Sequence, residues 1–470
     1  MNTRRRLLQT IAATGVISST VPLRPVQAAS TDPWAEAERI VAGIKRPSFP
    51  PKDFPITQFG AVSGGKEKCT IAIAKAIEAC NKAGGGRVVV PAGAWLTGPV
   101  HLKSHVNLHL VRGATLLFST DPKDYLPLVL TRWEGVECMN YSPLVYAFEQ
   151  ENIAVTGEGT LDGQASDQYW WPWKGRADFG YKAGMPNQAP ARKKLFEMGD
   201  ANVPVEQRIF GEGSYLRPNL FEPYRCKRVM IEGVTLRNTP FWEVHPVLCT
   251  DVIVRGLNID SAGPNTDGCD PESCKNVLIE NCTFNTGDDC IAIKSGRNGD
   301  GRRVNVPTEN VVIRGCTMKD GHGGVSIGSE ITGGVRNVFV ENCRMDSPHL
   351  DNAIRLKNNA VRGGILENFH FRNLVVGQVA QAILAIHFDY EEAGNGPFHP
   401  VARNVHLEKI VSGKSTFGVD AHGLPNAQIE NITLKDCEFS NVAKGNVFQY
   451  VRGISFSNVK VNGEVVKNPA

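Results

Sequence analysis

Eight nine-residue segments share one pattern of apolar and polar positions: RVMIEGVTL from Arg228, DVIVRGLNI from Asp251, NVLIENCTF from Asn276, NVVIRGCTM from Asn310, NVFVENCRM from Asn337, NFHFRNLVV from Asn368, NVHLEKIVS from Asn404 and NITLKDCEF from Asn431. Their starts lie 23 to 36 residues apart. Positions two and four are apolar in every copy, the alternation of a strand with one buried face, and position seven is Val, Leu, Ile or Cys. One copy cannot bury its apolar face alone, whereas stacked copies bury it jointly, so the pattern predicts a solenoid of strands. Helical repeats fit poorly, because no copy carries a ten-residue amphipathic stretch. The expected fold is therefore all-β, a single parallel β-helix over residues 51–470.

Other segments extend this picture. A further rung is expected at Asn152 (NIAVTGEGTL), and Val88 to Val90 after Gly84-Gly85-Gly86 reads as the first strand. Thr70 to Lys82 has helical spacing at Ile73, Ile77 and Cys80, suited to capping the open end of the solenoid. Asp32-Pro33-Trp34 reads as an N-cap, a proline at N1 and a short helix within an N-terminal segment, residues 29–50. Cys282, Cys316, Cys343 and Cys437 all occupy position seven and behave as small apolar residues in a ladder. Neighbouring rungs lie about 4.8 Å apart, somewhat too far for the preferred Cβ separation of a disulfide. Cys69 with Cys80, and Cys269 with Cys290, remain candidate pairs.

Composition fits a turn-rich fold: 47 of 470 residues are glycine, and 21% are charged. The formal charge is +3, but Arg4, Arg5, Arg6 and Arg24 precede Ala29 with no acid among them, and without those four the remainder carries −1. No global basic field is left of the kind a nucleic-acid binder carries. Residues 1–28 read as an export signal, with Arg4-Arg5-Arg6, an apolar run to Val21 and Val26-Gln27-Ala28 as the cleavage site. Thr3-Arg4-Arg5-Arg6-Leu7-Leu8 favours the twin-arginine type over the general pathway, placing the protein in the periplasm or outside a bacterial cell. No later stretch approaches the roughly 18 apolar residues of a spanning helix, so no membrane partner is expected.

Aligning the strands that follow the units places Ile291 and Ile293 beside Val325 and Ile327, then Ile354 and Leu356. Three residues before each first apolar position sit Asp288, His322 and Asp351, so Asp288 falls beside His322 with Asp289 adjacent. Asp267 of Asn265-Thr266-Asp267-Gly268 occupies the column of Asp288 one rung earlier, and Arg355 and Lys357 lie further along the same face. Taken singly, Asn-Thr-Asp-Gly and Gly-Asp-Asp read as turns. Together they put three carboxylates, an imidazole and two cations on one face over four rungs, about 15 Å. Close carboxylates separate one another's pKa values, as general acid and base work requires. Inverting glycosidic hydrolysis needs a gap of about 6.5 to 9.5 Å between them. The cations point to an acidic sugar, and Lys294, Arg297, Arg302 and Arg303 form either a solvated loop or a further contact to a polyanion. No metal site is expected, since neither Cys-x-x-Cys nor paired-His spacing occurs.

The ordered set Asn265-Thr266-Asp267, Gly287-Asp288-Asp289-Cys290, Gly321-His322-Gly323 and Arg355-Leu356-Lys357, on β-helix repeats, resembles the polygalacturonases of glycoside hydrolase family 28, of the bacterial exo-acting type. The resemblance runs from about Phe54 to Tyr450. It implies a right-handed, pectin-lyase-like β-helix and inverting hydrolysis of α-1,4-linked galacturonate, with no cofactor. By that analogy Asp288 is the general acid, Asp267 and Asp289 activate water, His322 tunes the acid, and Arg355 and Lys357 hold the sugar carboxylate. Gly287 and Leu356 depart from the usual Gln and Ile. The 76 residues between the copies at Asn152 and Arg228 include Tyr169-Trp170-Trp171-Pro172-Trp173, read as an aromatic rim cap or as a wall that forces attack at chain ends. Trp242, His245 and Tyr390 are candidates for subsites or for packing. The rival readings are a rhamnogalacturonan or other acidic-polysaccharide hydrolase, a calcium-dependent pectate lyase on the same fold, and a non-catalytic carbohydrate-binding β-helix.

Overall fold

The computed structural model describes residues 32–391 and 395–468; the expected export signal, residues 1–28, lies outside them. Helix α1 (Pro33–Gly43) starts where the Asp32 carboxylate accepts from the Trp34 amide at 3.0 Å. Its Trp34, Ala37 and Ile40 pack across the outer face of the sheet, on Ala154, Met230, Ile253, Leu278, Val312 and Phe339. Helix α2 (Thr70–Lys82) buries Ile73, Ile77 and Cys80 in the main core and closes its N-terminal end. A short strand, Asp53–Pro55, pairs with Gly86–Val90, so the strand at Val88 is the second of the solenoid.

From there the chain winds as a right-handed parallel β-helix. The repeated units stack in register: Ile153 lies beside Val229, Val229 beside Val252, Val252 beside Val277, and Val277 beside Val311. The long insertion therefore loops out between neighbouring rungs without breaking the stack. Position one explains the recurrent asparagine. Asn276, Asn310, Asn337, Asn368, Asn404 and Asn431 all have φ between 57° and 62°, a left-handed conformation that asparagine tolerates. Each also donates its amide to the residue one rung back, as Asn337 does to Asn310 at 3.1 Å and Asn368 to Asn337 at 3.2 Å.

All twelve cysteines are free and buried, so neither candidate disulfide forms. Those at position seven point their thiols at rung carbonyls. In a second column of Cys226, Cys249 and Cys274, the sulfurs of Cys249 and Cys274 accept backbone amides from the preceding rung at 3.4 Å. No described helix is long and apolar enough to cross a membrane.

Candidate active site

The site lies on the third face of the solenoid, formed by the strands Ile291–Ile293, Gly321–Ile327, Leu350–Lys357, Ala382–His387, Phe417–His422 and Val447–Gln449. Ile291, Val325 and Ile354 share one inward column, and Ala292, Ser326 and Arg355 the adjoining outward one. Cys269 pairs with Ile291, so Asp267 stands opposite Asp289 rather than in the expected column of Asp288, and Asp267, Asp288 and Asp289 come together with one oxygen of each within 4.8 Å of the others. The spacing is shorter than the roughly 6.5 Å expected of an inverting pair, because two of the carboxylates sit on directly adjacent rungs, whose separation sets the distance.

Each carboxylate has its own surroundings. Asp288 is the most open, its side chain 18% exposed; one oxygen lies 3.0 Å from His322 Nδ1 and accepts the Asp289 amide at 3.0 Å, and the other accepts the Asn265 amide at 3.2 Å. Burial pushes its carboxyl up, but the His322 bond and charge, with Lys357 and Lys294, hold it well below the usual carboxylate range. Asp289 is 1% exposed and accepts from Ser326 Oγ at 2.7 Å and Lys357 Nζ at 2.5 Å. Gly323 leaves room for this arrangement: a Cβ there would stand 2.2 Å from Ser326 Oγ. Asp267 is 4% exposed, and burial followed by the charge of Asp288 drives its carboxyl well above the usual range. Burial thus favours the protonated form at Asp267 rather than at Asp288, where the resemblance places the proton.

The inserted segment completes the pocket. Trp170 is boxed by Tyr125 and Trp173, and Trp171 Nε1 donates to the Thr239 carbonyl at 2.9 Å. Trp171 packs closely on Gly263, where a Cβ would come within 2.3 Å of its ring. Anchored this way, Lys174, Arg176 and Phe179 line the pocket, joined by Arg192 of α3 (Ala189–Asp200). Lys174 donates to Asn265 at 2.8 Å, and buried Arg217 holds the same loop through the Pro240 and Pro264 carbonyls and Asn265. The aromatic run is thus both a packed cap and a wall. Arg217, Lys174 and Arg192 escaped the sequence reading because they lie outside the repeat; only the overlong spacing between two rungs signalled their segment.

The candidate binding residues divide. Lys294 is buried in the pocket, 3.2 Å from Glu330 and over the Trp242 ring at 4.3 Å. Trp242, Tyr390 and Lys357 line the pocket. Arg355 stands over Tyr390 at 5.3 Å and has no carboxylate partner among the described residues, whereas Lys357 is engaged by Asp289. Two expectations are corrected. His245 is fully buried, with one nitrogen 2.8 Å from Glu272 and the other 2.9 Å from Asn219, which leaves no face for a ligand. Arg302 lies not in a loop but in helix α4 (Asn298–Val304), away from the pocket; it covers Phe398 at 3.6 Å and donates to the Val361 and Arg362 carbonyls. Arg297 and Arg303 are likewise paired within the protein, with Glu330 and with Glu137 and Asp300.

A parallel β-helix bearing three carboxylates, a histidine and a cationic rim defines a carbohydrate-processing type of site. Comparison with known proteins narrows the class. The family described as Glycosyl hydrolases family 28 matches residues 211–452. A hyperthermoactive exopolygalacturonase from Thermotoga maritima, known from its crystal structure, is 43% identical with a TM-score of 0.90, covering 93% of this chain and 97% of that one. The sequence is 28% identical over 420 residues to a "Probable polygalacturonase" of Vitis vinifera, covering 85% of this chain and 77% of that protein. It is 28% identical over 365 residues to an exo-poly-alpha-D-galacturonosidase of Dickeya chrysanthemi, covering 73% of this chain and 58% of that protein. The chain belongs to glycoside hydrolase family 28 and is a glycosidase.

Proposed function

We propose that this enzyme hydrolyses α-1,4-galacturonosidic bonds in galacturonan or its oligomers, with inversion, from a chain end. The observation that carries the hydrolytic reading is the trio Asp267, Asp288 and Asp289 inside a pocket rimmed by Lys174, Arg176, Arg192, Lys294 and Lys357, whereas inversion rests on the family resemblance, the carboxyl spacing being closer than the usual inverting gap. Accessibility divides the roles. A glycosidic oxygen is carried on a bulky sugar and reaches only the open carboxyl, Asp288, which passes it a proton drawn from the His322 hydrogen bond. Water is small enough to reach the buried pair. Asp267 orients it, and Asp289 takes its proton as it attacks the anomeric carbon. Arg355, which has no carboxylate partner among the described residues, takes the sugar carboxylate, with Tyr390 beneath.

The exo mode rests on the wall formed by the inserted segment and on a pocket of about 260 Å³. That is below the roughly 300 Å³ at which pockets for drug-sized ligands begin, so it suits a chain terminus. The exopolygalacturonase activity of the Thermotoga maritima relative supports the same mode. Export through residues 1–28 accompanies this reading, and a reporter fused to them should leave the cytoplasm only while Arg4 and Arg5 are intact.

Replacing each aspartate in turn by asparagine tests the assignment. Asp267→Asn, Asp288→Asn and Asp289→Asn should each lower the turnover of oligogalacturonates by about 10²- to 10⁴-fold with folding unchanged. Wild-type turnover in the Asp288 and Asp289 variants would refute these roles.

A further inference from the structure

The outward column that carries Lys357 continues along the same face. Lys357 is in register with His387, His387 with His422, and His422 with Gln449; Asp420 occupies the neighbouring outward column, beside Ala385. Stacking thus brings His387 against Asp420 and His422, 33 and 35 positions further along the chain, a pairing that no local spacing in the sequence reveals. His387 Nε2 lies 3.1 Å from one oxygen of Asp420, and His422 Nε2 lies 2.8 Å from the other. All three donor atoms fall within 4.8 Å of one another, and each side chain is partly open to solvent, at 34%, 15% and 29% for His387, Asp420 and His422.

The partner of the second His422 nitrogen matters most. Its Nδ1 lies 3.0 Å from the Gln449 side-chain oxygen, an acceptor, so Nδ1 carries the hydrogen. Nε2 meets the Asp420 carboxylate oxygen at 2.8 Å, a contact made either by its own proton in the imidazolium or, in the neutral ring, by a cation bound between the two atoms. An outer carbonyl that fixes the tautomer while the inner nitrogen meets a carboxylate is the arrangement usual around metal-ligating histidines. Bond lengths of about 2.0 to 2.2 Å in a tetrahedral zinc site put neighbouring donor atoms about 3.3 Å apart. The measured His–Asp separations, 3.1 and 2.8 Å to different oxygens of Asp420, lie below that value, so a bound ion would spread the donors slightly.

We infer that His387, Asp420 and His422 form a binding site for a divalent ion of the zinc type, on the cleft face one strand spacing beyond Lys357. Two imidazoles with one carboxylate suit zinc or a neighbouring late transition metal better than calcium, which prefers oxygen ligands alone. The site does not depend on the galacturonan reading and stands or falls on metal binding.

The test uses the full-length protein freed of metal by chelation and titrated with Zn²⁺ alone near neutral pH. One equivalent should bind. Co²⁺ in its place should show d–d absorption without a thiolate charge-transfer band, which sets the site apart from the twelve cysteines. The double variant His387→Gln/His422→Gln should lose more than about a hundredfold in affinity, beyond the roughly 10- to 100-fold cost of an outer partner. In case that variant folds poorly, the wild-type protein supplies a second measurement: Zn²⁺ should protect His387 and His422 from acylation by diethyl pyrocarbonate, read by peptide mass spectrometry. No stoichiometric binding, a thiolate band, undiminished affinity in the folded double variant, or unprotected histidines would each overturn the inference, leaving a proton as the bridging cation.

Discussion

At the scale of single residues, the His322–Asp288 pair sets the pH behaviour. The Asp288 hydrogen bond, then its charge, raises the imidazole above its ordinary 6.5, while His322 depresses the Asp288 carboxyl. The stability contributed by the pair is fully present between the unfolded values of about 3.9 and 6.5. It fades as pH falls through the depressed Asp288 value, and again as pH rises through the raised His322 value. Activity carried by the protonated pair should likewise decline on the alkaline side above pH 6.5, in the profile of kcat/KM. In His322→Gln that decline should no longer follow a histidine; an unchanged alkaline limb would remove His322 from the mechanism. Asp267, Asp288, Asp289 and His322 were legible in the sequence because register alone brings them together. The contrast in their surroundings was not, since it depends on Ser326, Asn265 and the depth of each side chain. His245 stayed open between subsite and packing because its position in the chain gave no sign that Glu272 and Asn219 enclose it.

At the scale of the element, the repeat was readable because strands with one buried face must alternate, and α2 because its apolar spacing matches a helix turn. The asparagine ladder was not, because nothing in one strand reveals that position one turns left-handed and hydrogen-bonds along the stack. It leads to a quantitative expectation. Asn337→Ala removes two amide hydrogen bonds of about 1 kcal/mol each and forces a Cβ residue without a local hydrogen bond into left-handed backbone, costing about 1–2 kcal/mol more. The loss should be about 3–4 kcal/mol by urea unfolding, and smaller in Asn337→Gly, which tolerates the backbone angle. Equal losses in the two variants would assign the whole effect to the ladder. The insertion shows the opposite limit of legibility: its length and aromatic content are plain in the chain, but its anchoring on Thr239 and Gly263 is purely tertiary.

At the scale of the whole molecule, the nearly neutral chain concentrates charge where an acidic polymer would end, with Lys174, Arg176 and Arg192 of the insertion facing Asp288 and Lys357 of the solenoid. Much of the remaining positive charge is neutralised internally, as Arg297 on Glu330 and Arg208 on Asp300 illustrate, so the basic stretch near residue 300 is scaffold rather than surface. Solenoid and insertion together make the pocket proposed to release units from one end of a galacturonan by inversion. Proton NMR of a defined oligogalacturonate during the first turnovers reads both parts at once. A single product size is expected, with its new reducing end appearing first as the β-anomer. The α-anomer appearing first, a mixture of lengths from the outset, or unsaturated products would contradict this mechanism.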